Sequence, residues 1–236
     1  MNDSSPRIKP EAFKEWNDKM VKKYDPDAFH HHPNPVVRFI ERKRVKAILQ
    51  LTYIDDGGGR ILEVGCGAGN ILEKAPLGNL FGVDISAFTL TKAKQKLRGK
   101  ASLFQADAQN LPFKDQVFKQ VICSEVLEHL LDPSASVQEI VRILSHQGFA
   151  VVSVPNELWI NRMKRILIRL GIFDWLFHRQ KGYCEMPEKM EDEWHLHVFT
   201  LESSVLLFKE FFRMTHLKRI PFFWLPLRYV VRLEKL

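Results

Sequence analysis

The stretch Arg60-Ile61-Leu62-Glu63-Val64-Gly65-Cys66-Gly67-Ala68-Gly69-Asn70 constrains this chain more than any other. An apolar run carrying one acid breaks into alternating glycines and continues into helix-compatible residues. That order predicts a buried strand, a tight turn and a helix start. Glycines at 65, 67 and 69 let the backbone turn sharply and let a ligand lie against bare main chain. A dinucleotide site would need G-x-G-x-x-G with a helix start aimed at a pyrophosphate. Here the spacing is G-x-G-x-G, and Glu63 stands two residues before the first glycine. A carboxylate in that place repels a pyrophosphate and suits a cationic ligand.

The 236 residues suit one domain with a sizeable core and room for an appendage. A formal net charge of +7 points to anionic partners, of which nucleic acid and anionic lipid are the candidates, or to a solvated basic surface. Three cysteines (Cys66, Cys123, Cys184) without paired spacing argue for a reducing compartment and against a disulfide framework or zinc site. The polar N-terminus lacks the apolar core of a signal peptide, and no apolar run is long enough to span a bilayer. A cytoplasmic protein is expected.

Residues 1–10 read as a frayed tail, and Phe13, Trp16, Met20 and Tyr24 recur at helical spacing. The loop Asp25 to Pro35 holds His30, His31 and His32. No carboxylate or cysteine spacing completes a metal set there, so a structural or gating role is expected. Val36 to Tyr53 predicts an amphipathic helix with Arg38, Arg42, Lys43 and Arg44 on its polar side. Residues 1–59 are thus expected to form a helical cap before a domain spanning 60–236.

The next strand, Leu80 to Val83, ends at Asp84, nineteen residues after Gly65, where an acid can accept both ribose hydroxyls of an adenosine. Its competing reading is a helix cap, although Ser86 is better placed for that. A third strand, Ala101 to Ala106, leads to Asp107-Ala108. A fourth, Val117 to Cys123, leads to Ser124-Glu125-Val126-Leu127-Glu128-His129. A helix over Pro133 to Leu144 and a strand over Gly148 to Val154 follow. Strands alternating with helices predict a doubly wound parallel α/β sheet whose ligand crevice gathers Gly65, Asp84, Asp107 and Ser124.

Residues 157–194 do not fit that core. Leu158, Trp159, Met163, Ile166, Leu167, Leu170, Phe173, Leu176 and Phe177 make a bulky apolar set, interleaved with Arg162, Lys164, Arg165, Arg169, Arg179 and Lys181. Such a helix either lies on anionic lipid or packs as a lid over the site. The run Ile220 to Val231 either joins that surface or forms the last strands. His195 and His197 share one side of an extended stretch, facing the pocket or satisfied within a turn. Thr200 is the expected N-cap of a helix over Leu201 to Phe212.

These motifs, in register over roughly residues 36–156, closely resemble the class I S-adenosylmethionine (SAM) methyltransferases. The likeness is to the UbiE/UbiG-like branch (types 11 and 23), including the O-methyltransferases of ubiquinone biosynthesis. It implies a Rossmann-like sheet of seven strands, mostly parallel with the last antiparallel, and a helical insertion after strand five. By this resemblance SAM is held by Arg38, Glu63, Gly65, Cys66, Gly67, Gly69, Asp84, Ile85, Asp107, Ala108 and Ser124. Arg38, which follows Asn34-Pro35 as an arginine does in the relatives, would approach the SAM carboxylate. Glu125, Glu128 and His129 match a triplet assigned in some quinone enzymes to magnesium. On a helix the three would share a face and either hold the ion, relay a proton or line the pocket. His129 and Glu125 are the expected proton acceptors.

The reading is a SAM-dependent methyltransferase acting on a small hydrophobic phenol, quinone or lipid-like acceptor at oxygen, peripheral to a membrane if the insertion docks there. A nucleic-acid methyltransferase is disfavoured. Adenine N6 chemistry needs an Asn/Asp-Pro-Pro-aromatic turn after the fourth strand, and no Pro-Cys nucleophile is present for pyrimidines. A non-catalytic SAM-binding module is the other alternative.

Overall fold

Seven segments become strands: β1 (Arg60–Val64), β2 (Asn79–Asp84), β3 (Ala101–Gln105), β4 (Phe118–Ser124), β5 (Leu144–Pro155), β6 (Phe212–Phe222) and β7 (Leu225–Lys235). In the computed structural model, which describes residues 8–53, 59–173 and 194–236, they form one sheet ordered β3-β2-β1-β4-β5-β7-β6. Neighbours from β3 to β5 are parallel. β7 runs antiparallel to both β5 and β6. The seven-stranded, doubly wound sheet is the one the motifs imply. The run Ile220 to Val231 resolves into the end of β6, a two-residue turn and the start of β7.

Each inner strand is buried on both faces, and its alternate residues enter different cores. Leu62, Val64, Val121, Cys123, Ala150 and Val152 pack towards α6 (Pro133–Ile143) and α8 (Leu201–Phe208). Ile61, Ile122, Phe149, Val151 and Val230 pack on the other face, against α3 (Pro35–Thr52), α4 (Asn70–Lys74) and α5 (Ala87–Leu97). α3 therefore is a layer of the main core, through Val45, Ile48 and Leu51, although it falls within the stretch read as a cap. α1 (Phe13–Tyr24) and α2 (Pro26–His30) do lie over the carboxyl ends of the strands. α2 occupies part of what reads as a loop.

Ion pairs join α2 and its N-cap to the body: Asp25 to Lys92 at 2.9 Å, and Asp27 to Lys96 at 2.7 Å. Thr200 caps α8 through a capping box with Ser203, but the helix stops at Phe208 because Phe212 already begins β6. α7 (Glu157–Arg169) opens the insertion, with Asn156 as N-cap. The expectations for Leu176, Phe177, Arg179, Lys181 and Cys184 lie outside the described residues. Among the described residues no helix is long and apolar enough to cross a membrane.

Candidate active site

A cavity of 540 Å³ opens at the carboxyl ends of β1, β2 and β4, roofed by α1 and α2 and walled by α3, α7 and the β6–β7 hairpin. Gly65 (φ +68°) and Gly67 (φ +51°) form its glycine turn. A Cβ on Gly65 would lie 2.2 Å from Val126, whereas a Cβ on Gly67 would meet nothing within 4 Å and would stand in the cavity. Asp84 anchors this turn: Oδ2 accepts from Gly67 N at 2.8 Å and Oδ1 from Ser86 N at 2.9 Å. Ser86 occupies the N-cap position of α5, but its hydroxyl makes no capping bond. Burial raises the Asp84 pKa against the pull of those N–H groups.

Glu63 is buried, and its Oε2 has no partner. Desolvation pushes its pKa up to about 8, opposed by the nearby Arg44 guanidinium. Asp107 lines the same cavity and closes a turn on Gln109 N at 2.9 Å. Cys66, Ile85, Ala108 and Ser124 line it as well.

At the α3 wall, Glu41, Arg44, Ser124, Glu125, Ser153 and Arg228 interlock. Arg44 Nη2 meets Glu41 Oε2 at 2.7 Å, and its Nη1 donates to Ser124 Oγ. Arg228 reaches Glu125 Oε2 at 2.9 Å and Glu41 Oε1 at 3.3 Å, while Ser153 donates to Glu125 Oε1 at 3.0 Å. Burial disfavours ionised Glu41, but its two guanidinium partners outweigh that and hold its pKa down at about 2.

At the α7 wall stand Glu128, His129, Glu157, Lys164 and His195. Glu157 Oε1 lies 3.0 Å from His195 Nδ1, and His129 Nδ1 lies 3.1 Å from the Trp194 carbonyl. The His129 ring stacks on Trp194 and meets His195 edge-on at 4.8 Å. Burial pulls the His129 pKa down to about 3 and pushes that of Glu128 well up.

Residues 62–152 match the family model described as a methyltransferase domain. That stretch is a methyltransferase domain, set in the class I SAM-dependent methyltransferase fold. It is 27% identical over 228 residues to a ubiquinone biosynthesis O-methyltransferase of Rhodopseudomonas palustris, covering 86% of each chain. It is 31% identical over 147 residues to a ubiquinone/menaquinone biosynthesis C-methyltransferase of Desulfotalea psychrophila, covering 59% of this chain and 60% of that one. With an uncharacterized methyltransferase of Schizosaccharomyces pombe it shares 36% identity over 104 residues, 38% of this chain and 37% of the other. The chain thus spans less than two thirds of the length of some of its curated relatives. Its fold is similar to the N-methyltransferase NodS of Bradyrhizobium japonicum, solved with S-adenosyl-L-homocysteine. The TM-score is 0.66 at 17% identity, over 92% of this chain and 97% of that one.

Within this methyltransferase fold several expected positions move. Arg38 is not a cavity residue. Its Nη1 donates to the carbonyls of His32 at 2.7 Å and Pro33 at 2.9 Å. The buried side of α3 is Val37, Glu41, Arg44 and Ile48, spaced by four, three and four, and Arg38 is turned about 100° from that line. Arg44, expected on the polar side, is the arginine that faces the cavity. Gly69 is the left-handed N-cap of α4 and packs against Leu97 rather than the cavity. Of the histidine triplet, His30 lines the cavity, His32 is tied to Asn34 N, and His31 is exposed. His195 faces the cavity, while His197 bonds the Leu130 carbonyl at 2.8 Å.

The shared helical face of Glu125, Glu128 and His129 does not form. Only Leu127–His129 makes a 3-10 turn, and Glu125 sits before it with φ +55°, turned to Arg228 and Ser153. Among the described residues, Glu128, His129 and His195 instead bring donor atoms within 4.8 Å of one another. Two imidazoles and one carboxylate are a poor set for magnesium, which prefers oxygen ligands and octahedral geometry, so the residues do not fit that ion.

The SAM side fits better. A buried carboxylate with an unpartnered oxygen, beside a glycine turn that leaves room, suits a ligand with cationic groups. Sequence reasoning missed Glu41, Arg228 and Glu157 as site residues, and it placed Lys164 on a basic face although that lysine is buried in the cavity wall.

Proposed function

We propose that this methyltransferase transfers a methyl group from SAM to an oxygen of a small hydrophobic acceptor of phenol, quinone or lipid-like character. The observation that carries this is the division of this cavity. An acidic, glycine-lined end (Glu63, Gly67, Asp84, Asp107) adjoins a chamber of Val37, Phe39, Ile40, Ile160, Met163, Leu167 and Phe222. The acidic end suits the cationic donor, and the apolar chamber suits a hydrophobic acceptor. The quinone-pathway names of two relatives, one an O-methyltransferase and one a C-methyltransferase, support the acceptor class.

When bound, SAM supplies a methyl already activated by its sulfonium. The protein's residues then have three tasks. Gly65, Gly67 and Asp84 orient the donor, and the apolar walls exclude water from the in-line displacement. The third task is to take the acceptor's hydroxyl proton as the O–CH3 bond forms and the S–CH3 bond breaks. His195 is suited to it: its ring lines the cavity, and Glu157 Oε1, 3.0 Å from Nδ1, would stabilise the imidazolium formed as it takes the proton. Glu125, committed to Arg228 and Ser153, is unsuited, as is His129, whose pKa of about 3 makes it a weak base.

The test is radiolabelled SAM incubated with a lipid extract and, separately, with total RNA, with and without magnesium. Label is expected in the organic phase without a magnesium requirement. Label in RNA would replace the acceptor class, and SAM binding without label in either would favour a non-catalytic module. Asp84→Ala is expected to abolish measurable SAM binding in calorimetry, and unchanged affinity would remove the assigned crevice.

A further inference from the structure

The turn between β6 and β7 carries Phe223 and Trp224, 78% and 59% exposed. Neither lines the cavity, but their neighbour Phe222 does. Phe222 stacks on Trp224 with ring centroids 5.1 Å apart and meets Phe39 of α3 at 5.9 Å. The result is a continuous aromatic rim from the hairpin tip to the cavity mouth.

A basic strip borders this rim. Lys43 lies one turn beyond Phe39, its Nζ 5.4 Å from that ring. Lys46 follows on the same side of α3, beside Lys218 of β6, which bonds Gln50. Partial burial and the neighbouring Lys46 ammonium pull the Lys218 pKa down. Among the described residues of α3, β6 and β7, no carboxylate offsets the strip. The acid on α3, Glu41, is buried; β6 has none; and Glu234 lies at the far end of β7.

Aromatic side chains ringed by lysines are the composition of a protein surface seated at an anionic bilayer, rings at the headgroup level and ammonium groups among phosphates. The shape agrees. Phe223 and Trp224 project from a convex two-residue turn, which penetrates a soft interface better than it fills a protein groove. We propose that the β6–β7 turn is an interfacial anchor that seats the cavity mouth on an anionic lipid bilayer, so that a hydrophobic acceptor reaches the site from the lipid phase. This deepens the hydrophobic-acceptor reading and rests on it. The anchor it assigns is the hairpin, a segment separate from the insertion that α7 opens.

The experiment is sedimentation of the full chain with vesicles of phosphatidylcholine alone and of phosphatidylcholine with phosphatidylglycerol, without SAM or acceptor. The wild type is expected to bind the anionic vesicles more tightly. F223S/W224S should bind them about tenfold or more weakly, the scale of withdrawing two aromatic side chains from an interface. L77S removes a side chain 89% exposed elsewhere on the surface and should bind as wild type. Unchanged SAM binding by F223S/W224S in calorimetry would establish that the variant is folded. Failure of the wild type to bind vesicles, or undiminished binding by F223S/W224S, would overturn the proposal. So would capture by immobilised polyglutamate without vesicle binding, which would assign the patch to an acidic protein. None of these outcomes depends on methyl transfer, so each leaves the proposed reaction to its own test.

Discussion

Arg228 at the start of β7 meets Glu125 at the end of β4, Nε to Oε2 at 2.9 Å, and its other arm lies 3.3 Å from Glu41 on α3. One guanidinium thereby joins the antiparallel end of the sheet, the parallel centre and the helix that walls the cavity. Arg228→Ala leaves two carboxylates without this partner, Glu41 almost fully buried. Stranding buried charge is costly, so a loss of about 3–5 kcal/mol in unfolding free energy is expected from urea denaturation. A loss within the ordinary surface range of about 0.5 kcal/mol would mean that the network is slack.

The glycine turn separates folding from binding at neighbouring positions. Gly65→Ala drives a Cβ into Val126 and is expected to destabilise the fold. Gly67→Ala meets no atom, so its cost is confined to the left-handed backbone, about 1–2 kcal/mol, while its methyl enters the cavity. Thermal denaturation should fall more for Gly65→Ala, and calorimetry should show SAM binding lost in Gly67→Ala while that variant is still folded.

Under the proposed function, Glu63 is expected to couple SAM binding to protons. With a pKa of about 8 it holds a proton at pH 7 in the free protein, and a cationic ligand favours its ionised form. Binding is expected to release most of one proton at pH 7. Calorimetry in buffers of different ionisation enthalpy reads this directly, and Glu63→Gln should abolish it.

Stability should fall towards both ends of the pH scale. Glu41 sits at about 2 in the folded protein against an ordinary 4.5, so its contribution is present above 4.5 and lost as pH falls through 4.5 towards 2. Glu63 works in the opposite sense. Its folded value of about 8 gives a contribution complete below 4.5 and lost as pH rises towards 8. Denaturant midpoints across pH 3–9 should decline at both limbs. Glu63→Gln should make the alkaline limb shallower, with Glu128 still contributing to it, and leave the acid limb unchanged.

Glu157 is expected to act through His195. Glu157→Gln keeps the shape but weakens the hold on Nδ1–H, so kcat should drop by about a hundredfold with the acceptor KM little changed and the kcat–pH profile displaced. Equal losses in kcat/KM and thermal stability, with an unmoved profile, would indicate a purely structural pair.

The first strand, the glycine turn, the second-strand acid and the alternation of strands with helices were legible because their signals are local. Alternating burial, positive φ and an acid at a strand end depend on a few adjacent residues, and Glu63, Gly65, Gly67, Asp84, Asp107 and Ser124 do gather at one cavity. The helix faces were not legible in the same way. Arg38, Arg42, Lys43 and Arg44 point around nearly the whole circumference of α3, and only its packing on β5 and β7 turns Arg44 inward and Arg38 outward. Lys164 reads as one more basic residue until α7 docks on the cavity.

Glu125 and His129 show the same limit in the backbone. Their spacing means a common face only if the segment is helical, and a left-handed residue followed by a single 3-10 turn sends Glu125 to Arg228, 103 positions away. The sequence alone determined the parallel strands, the glycine turn and the acids that line the cavity. The tertiary structure alone decided which charges are buried and whom they meet, because those partners are set by packing between elements far apart in the chain and not by local spacing.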